Sequence, residues 1–251
     1  MSTQVLFKNE EHVNYLLEDS TGGKVGYSNQ YLIIHNGRGM LLNPDGHIDY
    51  SNLKENYLGR VPSHKIEYLF LSHQDPDLLV SANGWLMISE VQPFLLNSGL
   101  DFIVHFGMED GISDRIFSIP KAGMTLRLGS APLLVIPTHF LHSYINFQIY
   151  DPLSKILYSG KLGNSMGNSY TIVEDFNDHI QYMLGFHQYF FDSNMNLMLW
   201  AKMARQLDID MIAPQHGAMI VKKAHVAAFI DWAENLPCGA DLIDRSHKLP
   251  V

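Results

Sequence analysis

Short apolar runs that end abruptly in polar loops are the feature that most constrains how this 251-residue chain can fold. Each run is only three or four residues long and is apolar without alternation, which is typical of a strand buried on both faces. Polar groups directly after a buried strand are costly unless they are solvated, paired or bound to a metal. Four such strand ends lie within residues 68–77, 133–143, 156–163 and 211–217.

Other strands are predicted in the first half of the chain. Residues 31–35 and 40–42 flank a glycine-containing turn sequence at 36–39, and together they predict a β-hairpin. Residues 103–106 form another apolar run of strand length. The first half of the chain therefore predicts a sheet.

The last third of the chain has the apolar spacing of amphipathic helices. Ser193 is expected to cap a helix whose apolar residues begin at Leu197, and a second helix spans about residues 226–233. A third helix is predicted after the first polar strand end, over about residues 78–91, with Pro93 closing it. Since strands and helices mix without a linker, the residues predict an α/β or α+β chain whose helices cover sheets.

Composition excludes several classes of function. Apolar residues make up 46% and charged residues 17% of the chain, which is typical of a globular protein. The net charge is −9 without a Lys/Arg cluster, which argues against binding to nucleic acid or to an anionic membrane. The single cysteine, Cys238, excludes a disulfide framework within the chain. Because the sequence shows neither a signal segment nor a membrane span, a cytoplasmic location is expected.

Histidine and aspartate at the strand ends are the candidate functional residues. His73, Asp75 and Asp77 follow the first strand at alternate positions, so an extended segment can point them the same way. His142 and His216 follow two other strands and add neutral nitrogen ligands. A set of histidines and carboxylates without a thiolate suits iron, manganese or zinc. These five residues predict a metal site, and no catalytic residue separate from it is expected.

Ordinary structural roles are alternatives for the same residues. Residues 75–77 can form a turn that caps the predicted helix at Leu78. His139 and His142 can be an i, i+3 pair on a helix without a ligand role. Both alternatives remain open at this point.

The order of these motifs resembles the metallo-β-lactamase superfamily, and most closely its branch of flavodiiron and oxygen-binding diiron proteins (ODP). The motifs are His-x-acid-x-Asp, His-Ser, Ser-Gly-x-x-Gly and Pro-Gln-His-Gly, at residues 73–77, 142–143, 159–163 and 214–217. The resemblance implies an α+β fold, an αββα sandwich, formed by a single domain over residues 1–251.

The resemblance also implies roles for individual residues. His73, Asp75 and His142 are expected to bind a first metal. Asp77 and His216 are expected to bind a second metal, and His139 is expected to lie just behind the ligands. Hydrolytic members of the superfamily usually carry a histidine at the position of Asp75, and carboxylate-rich sites suit iron, so iron chemistry is implied.

Two residues depart from the pattern of the resembled branch. Leu78 stands where many members have a histidine ligand of the second metal. Lys161 stands where the branch has the aspartate that bridges both metals, so a positive charge replaces a negative one. Lys161 can turn away, be deprotonated, be carbamylated into a new bridging carboxylate, or fill the second metal position as a built-in cation.

The resemblance implies a non-haem protein with one or two irons that binds dioxygen or nitric oxide. It would act as a sensor, or as a weak reductase that depends on an external electron donor. No FMN is expected in this chain, and a homodimer is expected because members of the branch often form one. Tyr144, Phe186, His187 and Tyr189 are expected to shape the ligand pocket. The alternatives are a binding or signalling module with one metal or none, because of Lys161, and a metal-dependent hydrolase.

Overall fold

Two β-sheets pack face to face in the computed structural model, which describes residues 3–17, 28–44, 65–73, 75, 78, 92–96 and 117–243. In the first sheet the strands follow one another in chain order. They are β1 (Thr3–Lys8), β2 (His12–Leu17), β3 (Gln30–His35), β4 (Arg38–Leu42), β5 (Ile66–Phe70), β6 (Gln92–Leu96) and β7 (Phe117–Ile119). Pairing is antiparallel from β1 to β4 and parallel from β4 to β7.

The second sheet contains the strands that lead into three of the four polar strand ends. Its strands are β8 (Met124–Leu128), β9 (Ala131–Pro137), β10 (Phe147–Asp151), β11 (Ile156–Gly160), β12 (Met211–Pro214) and β13 (Ile220–Val221). Their spatial order is β13, β12, β11, β10, β9, β8. Because β11 is parallel to β12 while β10 is antiparallel to both β9 and β11, the carboxyl ends of β9, β11 and β12 lie at one edge.

Central strands of the first sheet are buried on both faces. Ile33 and Met40 belong to the core between the sheets, together with Phe147 and Ile149 of the second sheet. Leu41 points to the other face, because successive side chains alternate along a strand, and it is also fully buried. Burial on both faces explains why these strands are apolar without alternation.

Helices cover the outer face of the second sheet. Within the described ranges they are α1 (Phe176–Phe190), α2 (Asn194–Ala204) and α3 (Lys223–Glu234). Met183, Trp200 and Phe229, one from each helix, share a core with Leu157 and Ile212 of the sheet. None of these helices is long and apolar enough to cross a membrane.

Two of the three helices agree with the sequence pattern. α2 begins directly after Ser193, although the Ser193 side chain makes no capping hydrogen bond, and α3 contains the predicted residues 226–233. α1 is not among the predicted helices. Its apolar residues Phe176, Ile180 and Met183 nevertheless recur at helical spacing and pack into the core, so the signal was present in the sequence. What the spacing does not show is that His179 and His187 are buried beside them.

Most predicted strands are confirmed. β3 and β4 form the predicted hairpin, and β5, β9, β11 and β12 precede the four polar strand ends. Pro93 lies inside β6, so it belongs to a strand and not to the end of a helix. The predicted helix beyond Leu78 and the predicted strand at 103–106 lie outside the described residues.

Candidate metal centre

Three candidate ligands come together at the edge of the sandwich. His73, Asp75 and His142 each offer one ligand atom, and these atoms lie within 4.8 Å of one another. Asp75 Oδ2 lies 2.7 Å from His142 Nε2 and 3.4 Å from His73 Nε2. The two imidazole rings meet edge to face, with centroids 5.5 Å apart. Two imidazole nitrogens and a carboxylate oxygen form a donor set that fits iron, manganese or zinc.

β5 delivers His73 into a fully buried position. Ser72 Oγ lies 2.7 Å from His73 Nδ1, and the Ser72 backbone N–H donates to Asn43 Oδ1 at 2.9 Å. The backbone N–H of Phe147, at the start of β10, donates to the Ser72 carbonyl at 2.9 Å and ties the two sheets together here. With Nδ1 engaged by a hydroxyl, Nε2 of His73 faces Asp75, as in oriented metal-binding histidines.

His142 lies in a tight loop after β9 and not on a helix. Its φ of 76° falls in the left-handed region, which residues with a Cβ rarely adopt. Within the loop, the Phe140 N–H donates to the Ser143 carbonyl at 2.8 Å. The alternative of a helical pair with His139 is therefore wrong. The strained backbone instead directs His142 towards Asp75, which is a common use of strain at functional sites.

Asp75 is the charged member of the group. Burial raises the pKa of the Asp75 carboxyl. Hydrogen bonds from His142 and His73 together lower this pKa by more than burial raises it, so it lies below the ordinary value. Asp75 is therefore ionised at neutral pH. Nδ1 of His142 is buried and has no hydrogen-bond partner among the described residues. A carboxylate between two imidazoles, one of them incompletely satisfied, fits a bound divalent cation.

Asp75 also begins a turn. The Leu78 backbone N–H donates to the Asp75 carbonyl at 3.1 Å, so a structural role and a ligand role are compatible in the same residue. Leu78 is fully buried and apolar, so its side chain offers no metal ligand. Asp77, the carboxylate expected at the second metal, lies outside the described residues.

Lys161 points into the site. The residue follows β11 and is only 7% exposed. Its Nζ lies 3.9 Å from Asp75 Oδ2 and 3.5 Å from His216 Nε2. His216 follows β12, and its backbone N–H donates to Asn164 Oδ1 at 3.0 Å. The ammonium group thus lies between a residue expected at the first metal and one expected at the second.

The side chain of His139 contacts the turn that contains Lys121. Its Nε2 lies 2.9 Å from the backbone carbonyl of Lys121, and its ring packs edge-on against Phe147 at 5.1 Å. In the structure, His139 therefore anchors the start of the loop that carries His142.

Aromatic side chains of α1 form one wall of the site. Phe186 stacks on the His142 ring, with centroids 6.2 Å apart and planes 25° apart. Phe190 lies 5.9 Å from the same ring. Phe186 is among the residues expected at the pocket, whereas Phe190 is not, because α1 is not among the predicted helices. Their i, i+4 spacing is the signal that could have found the pair.

One of the other residues expected at the pocket, His187, lies elsewhere. His187 is buried in the helical core, where its Nε2 accepts the Gly163 N–H at 2.9 Å and its Nδ1 donates to the Met183 carbonyl at 2.8 Å. Burial lowers the pKa of His187 to about 4, so it is a neutral structural residue. Tyr189 is 87% exposed and Tyr144 is 41% exposed.

Solved structures with the same architecture define the class of the fold. The chain matches rubredoxin oxygen:oxidoreductase from Desulfovibrio gigas with a TM-score of 0.76 at 14% identity, over 92% of this chain and 61% of that one. It is more similar to the chemotaxis sensor ODP. The peroxy diiron species of that sensor gives a TM-score of 0.85, at 35% identity over 96% of this chain and 98% of that one. The apo state of the sensor from T. denticola gives 0.87, at 35% identity over 96% and 97%. The predicted α+β sandwich of metallo-β-lactamase type is confirmed.

The family follows from a second comparison. The model of the family described as ODP family beta lactamase matches residues 27–217, which is more than half of the chain. This chain belongs to that family. The matched range contains all five candidate ligands and Lys161. None of the curated proteins matches the chain.

Proposed function

We propose that this chain is a non-haem iron protein that binds dioxygen and acts as a sensor. The convergence of His73, Asp75 and His142 within 4.8 Å carries the proposal. Similarity supports it, since a relative with 35% identity over nearly the whole chain is a chemotaxis sensor whose structure is that of a peroxy diiron species. Nitric oxide is the second candidate ligand. Any sustained reduction of either gas depends on an external electron donor, and we place the protein in the cytoplasm as a homodimer.

The proposed ligands of the first iron are the three side chains whose ligand atoms lie within 4.8 Å of one another. His73, Asp75 and His142 would hold a first iron, and His216 and Asp77 are the candidates for a second. When bound, iron supplies a redox-active centre with open coordination positions that suit a diatomic gas.

Neighbouring residues prepare the ligands for this role. The Ser72 hydroxyl, 2.7 Å from Nδ1 of His73, orients the ring so that Nε2 is the metal-binding atom. Phe186 and Phe190 cover the His142 ring and exclude water from that side. The chain thus supplies oriented nitrogen ligands beside an apolar wall, which is a suitable environment for an apolar gas.

Anaerobic loading with ferrous iron, followed by exposure to air, tests the proposal. The wild-type protein is expected to gain a visible absorption band in air, and His142→Ala is expected to lose it. His225→Ala is the matched control, because His225 lies in the first turn of α3, outside the site, and should leave the band unchanged. An iron-loaded wild-type protein whose spectrum does not change in air would rule out dioxygen binding at this site.

A binding or signalling module without redox chemistry is the second candidate, and one observation favours it. Lys161 Nζ lies 3.9 Å from Asp75 Oδ2, so a cation of the chain already neutralises part of the site. A module of this kind would stay folded, by circular dichroism, would retain one metal or none after ferrous reconstitution, and would show no change of its visible spectrum in air. Elemental analysis and the spectrum in air together therefore separate the two candidates.

A further inference from the structure

Hydrogen bonds at Lys161 and at the residues that follow it hold its loop in place. The Lys161 carbonyl accepts the Asn164 N–H at 3.2 Å, and the Asn164 side chain accepts the His216 N–H at 3.0 Å. The Gly163 N–H donates to the buried ring of His187 at 2.9 Å. Since all these bonds lie within three residues of Lys161 along the loop, its backbone cannot swing outwards without breaking them.

Lys161 and a metal would use the same atom of His216. An ammonium group has only donors, so its contact with His216 Nε2 at 3.5 Å uses the lone pair of that nitrogen. A metal bound through Nε2 needs the same lone pair. Lys161 Nζ also lies 3.9 Å from Asp75 Oδ2, so a positive charge already stands between the carboxylate and the imidazole. Contact and charge both oppose a second cation there.

We propose that Lys161 competes with a second metal ion for His216. As a result, the chain binds one metal tightly, at His73, Asp75 and His142, and a second metal roughly ten-fold or more weakly. This inference rests on the proposed iron site and specifies its stoichiometry. A weak second metal position distinguishes this chain from the relative whose structure is a diiron species, because here that position fills only at higher metal concentration.

An anaerobic titration with ferrous iron, read by elemental analysis after desalting, counts the tightly bound metals. The wild-type protein is expected to retain about one iron per chain. Lys161→Met keeps a long unbranched side chain, one atom shorter, and removes its charge, so this variant is expected to retain about two. Lys161→Arg keeps the charge and is expected to stay at about one. Lys155→Met is the matched control, because Lys155 pairs with Asp208 at the surface, 2.6 Å away.

A change at His216 separates the two positions. In the wild-type background, His216→Ala should leave the tightly bound iron in place, because His73, Asp75 and His142 remain. In the Lys161→Met background, the same change should lower the content from about two irons to about one. Lys161→Gln serves as a second uncharged variant if thermal unfolding shows that Lys161→Met is not folded.

Each outcome has a distinct meaning. Two irons of equal affinity in the wild-type protein would overturn the competition and leave the iron function standing. A folded Lys161→Met or Lys161→Gln that still retains about one iron would overturn it as well. A wild-type protein that retains no iron would overturn the proposed iron function, and the competition with it.

Discussion

The carboxylate of Asp75 connects the ligand groups of the site. Its Oδ2 lies 2.7 Å from His142 Nε2, 3.4 Å from His73 Nε2 and 3.9 Å from Lys161 Nζ. Burial raises its pKa, but the hydrogen bonds from the two histidines lower the pKa below the ordinary value. One residue therefore supplies the negative charge that both a metal and Lys161 need.

Asp75→Asn keeps the shape of the side chain and removes its charge. We expect iron affinity to fall roughly 100-fold, because the only change is the loss of an anionic ligand beside a cation. Anaerobic competition with a chelator measures the affinity. Asp178→Asn is the control, since Asp178 is an exposed residue in the first turn of α1. Wild-type affinity in Asp75→Asn would show that this carboxylate is not a ligand.

Among the elements, a buried polar cluster joins β2 of the first sheet to the end of β10 in the second. His12 Nε2 lies 2.8 Å from Asp151 Oδ2, and both side chains are 0% exposed. The same carboxylate oxygen accepts hydrogen bonds from Asn14 Nδ2 at 2.8 Å and from Ser154 Oγ at 2.6 Å. Three groups thus converge on one carboxylate and set how the sheets pack at this position.

Asp151→Ala should destabilise the fold by about 3 kcal/mol, because it leaves buried polar groups on β2 without their shared acceptor. Guanidinium unfolding measures the loss. Asp208→Ala is the control, since Asp208 forms surface ion pairs with Lys155 and Lys223 and should change stability little. A loss in Asp151→Ala as small as in the control would mean that the cluster does not stabilise the packing of the sheets.

For the whole molecule, folding buries histidines that prefer to be charged at mildly acidic pH. Burial lowers the pKa of His187 and of His179 to about 4, from 6.5. In the unfolded chain these groups bind protons below about pH 6.5, so the unfolded state binds more protons than the folded state. Their contribution to stability is complete above that pH and is lost as the pH falls towards 4.

His187→Gln tests this pH dependence. Glutamine keeps an acceptor for the Gly163 N–H but does not titrate, so the free energy of unfolding should fall less steeply from pH 7 to pH 4. The difference contributed by His187 reaches about 3 kcal/mol if its whole pKa shift is realised. Guanidinium unfolding at several pH values gives both profiles. Parallel profiles for the two proteins would show that His187 is not held neutral by the fold.

Local features of the fold and the site could be predicted from the sequence. Strands such as β11 could be recognised because a strand buried on both faces has an apolar composition without alternation, as residues 156–159 do. The helix α2 after Ser193 could also be predicted, because its apolar residues recur at helical spacing. The helix α1 was missed although Phe176, Ile180 and Met183 recur at helical spacing, and what its sequence does not show is that His179 and His187 are buried. The burial of His187 is compensated by the Gly163 N–H, which lies 24 residues earlier.

By itself, the sequence determined which residues are able to bind a metal and that a lysine stands among them, since ligand chemistry and charge belong to single residues. Only the tertiary structure decided which of these groups meet. Asp75 and His142 are 67 residues apart in the chain, and their contact depends on how β5 and β9 are placed by the packing of two sheets. The direction of Lys161 likewise depends on the position of His216, whose backbone N–H donates to the Asn164 side chain, and no local pattern encodes that position.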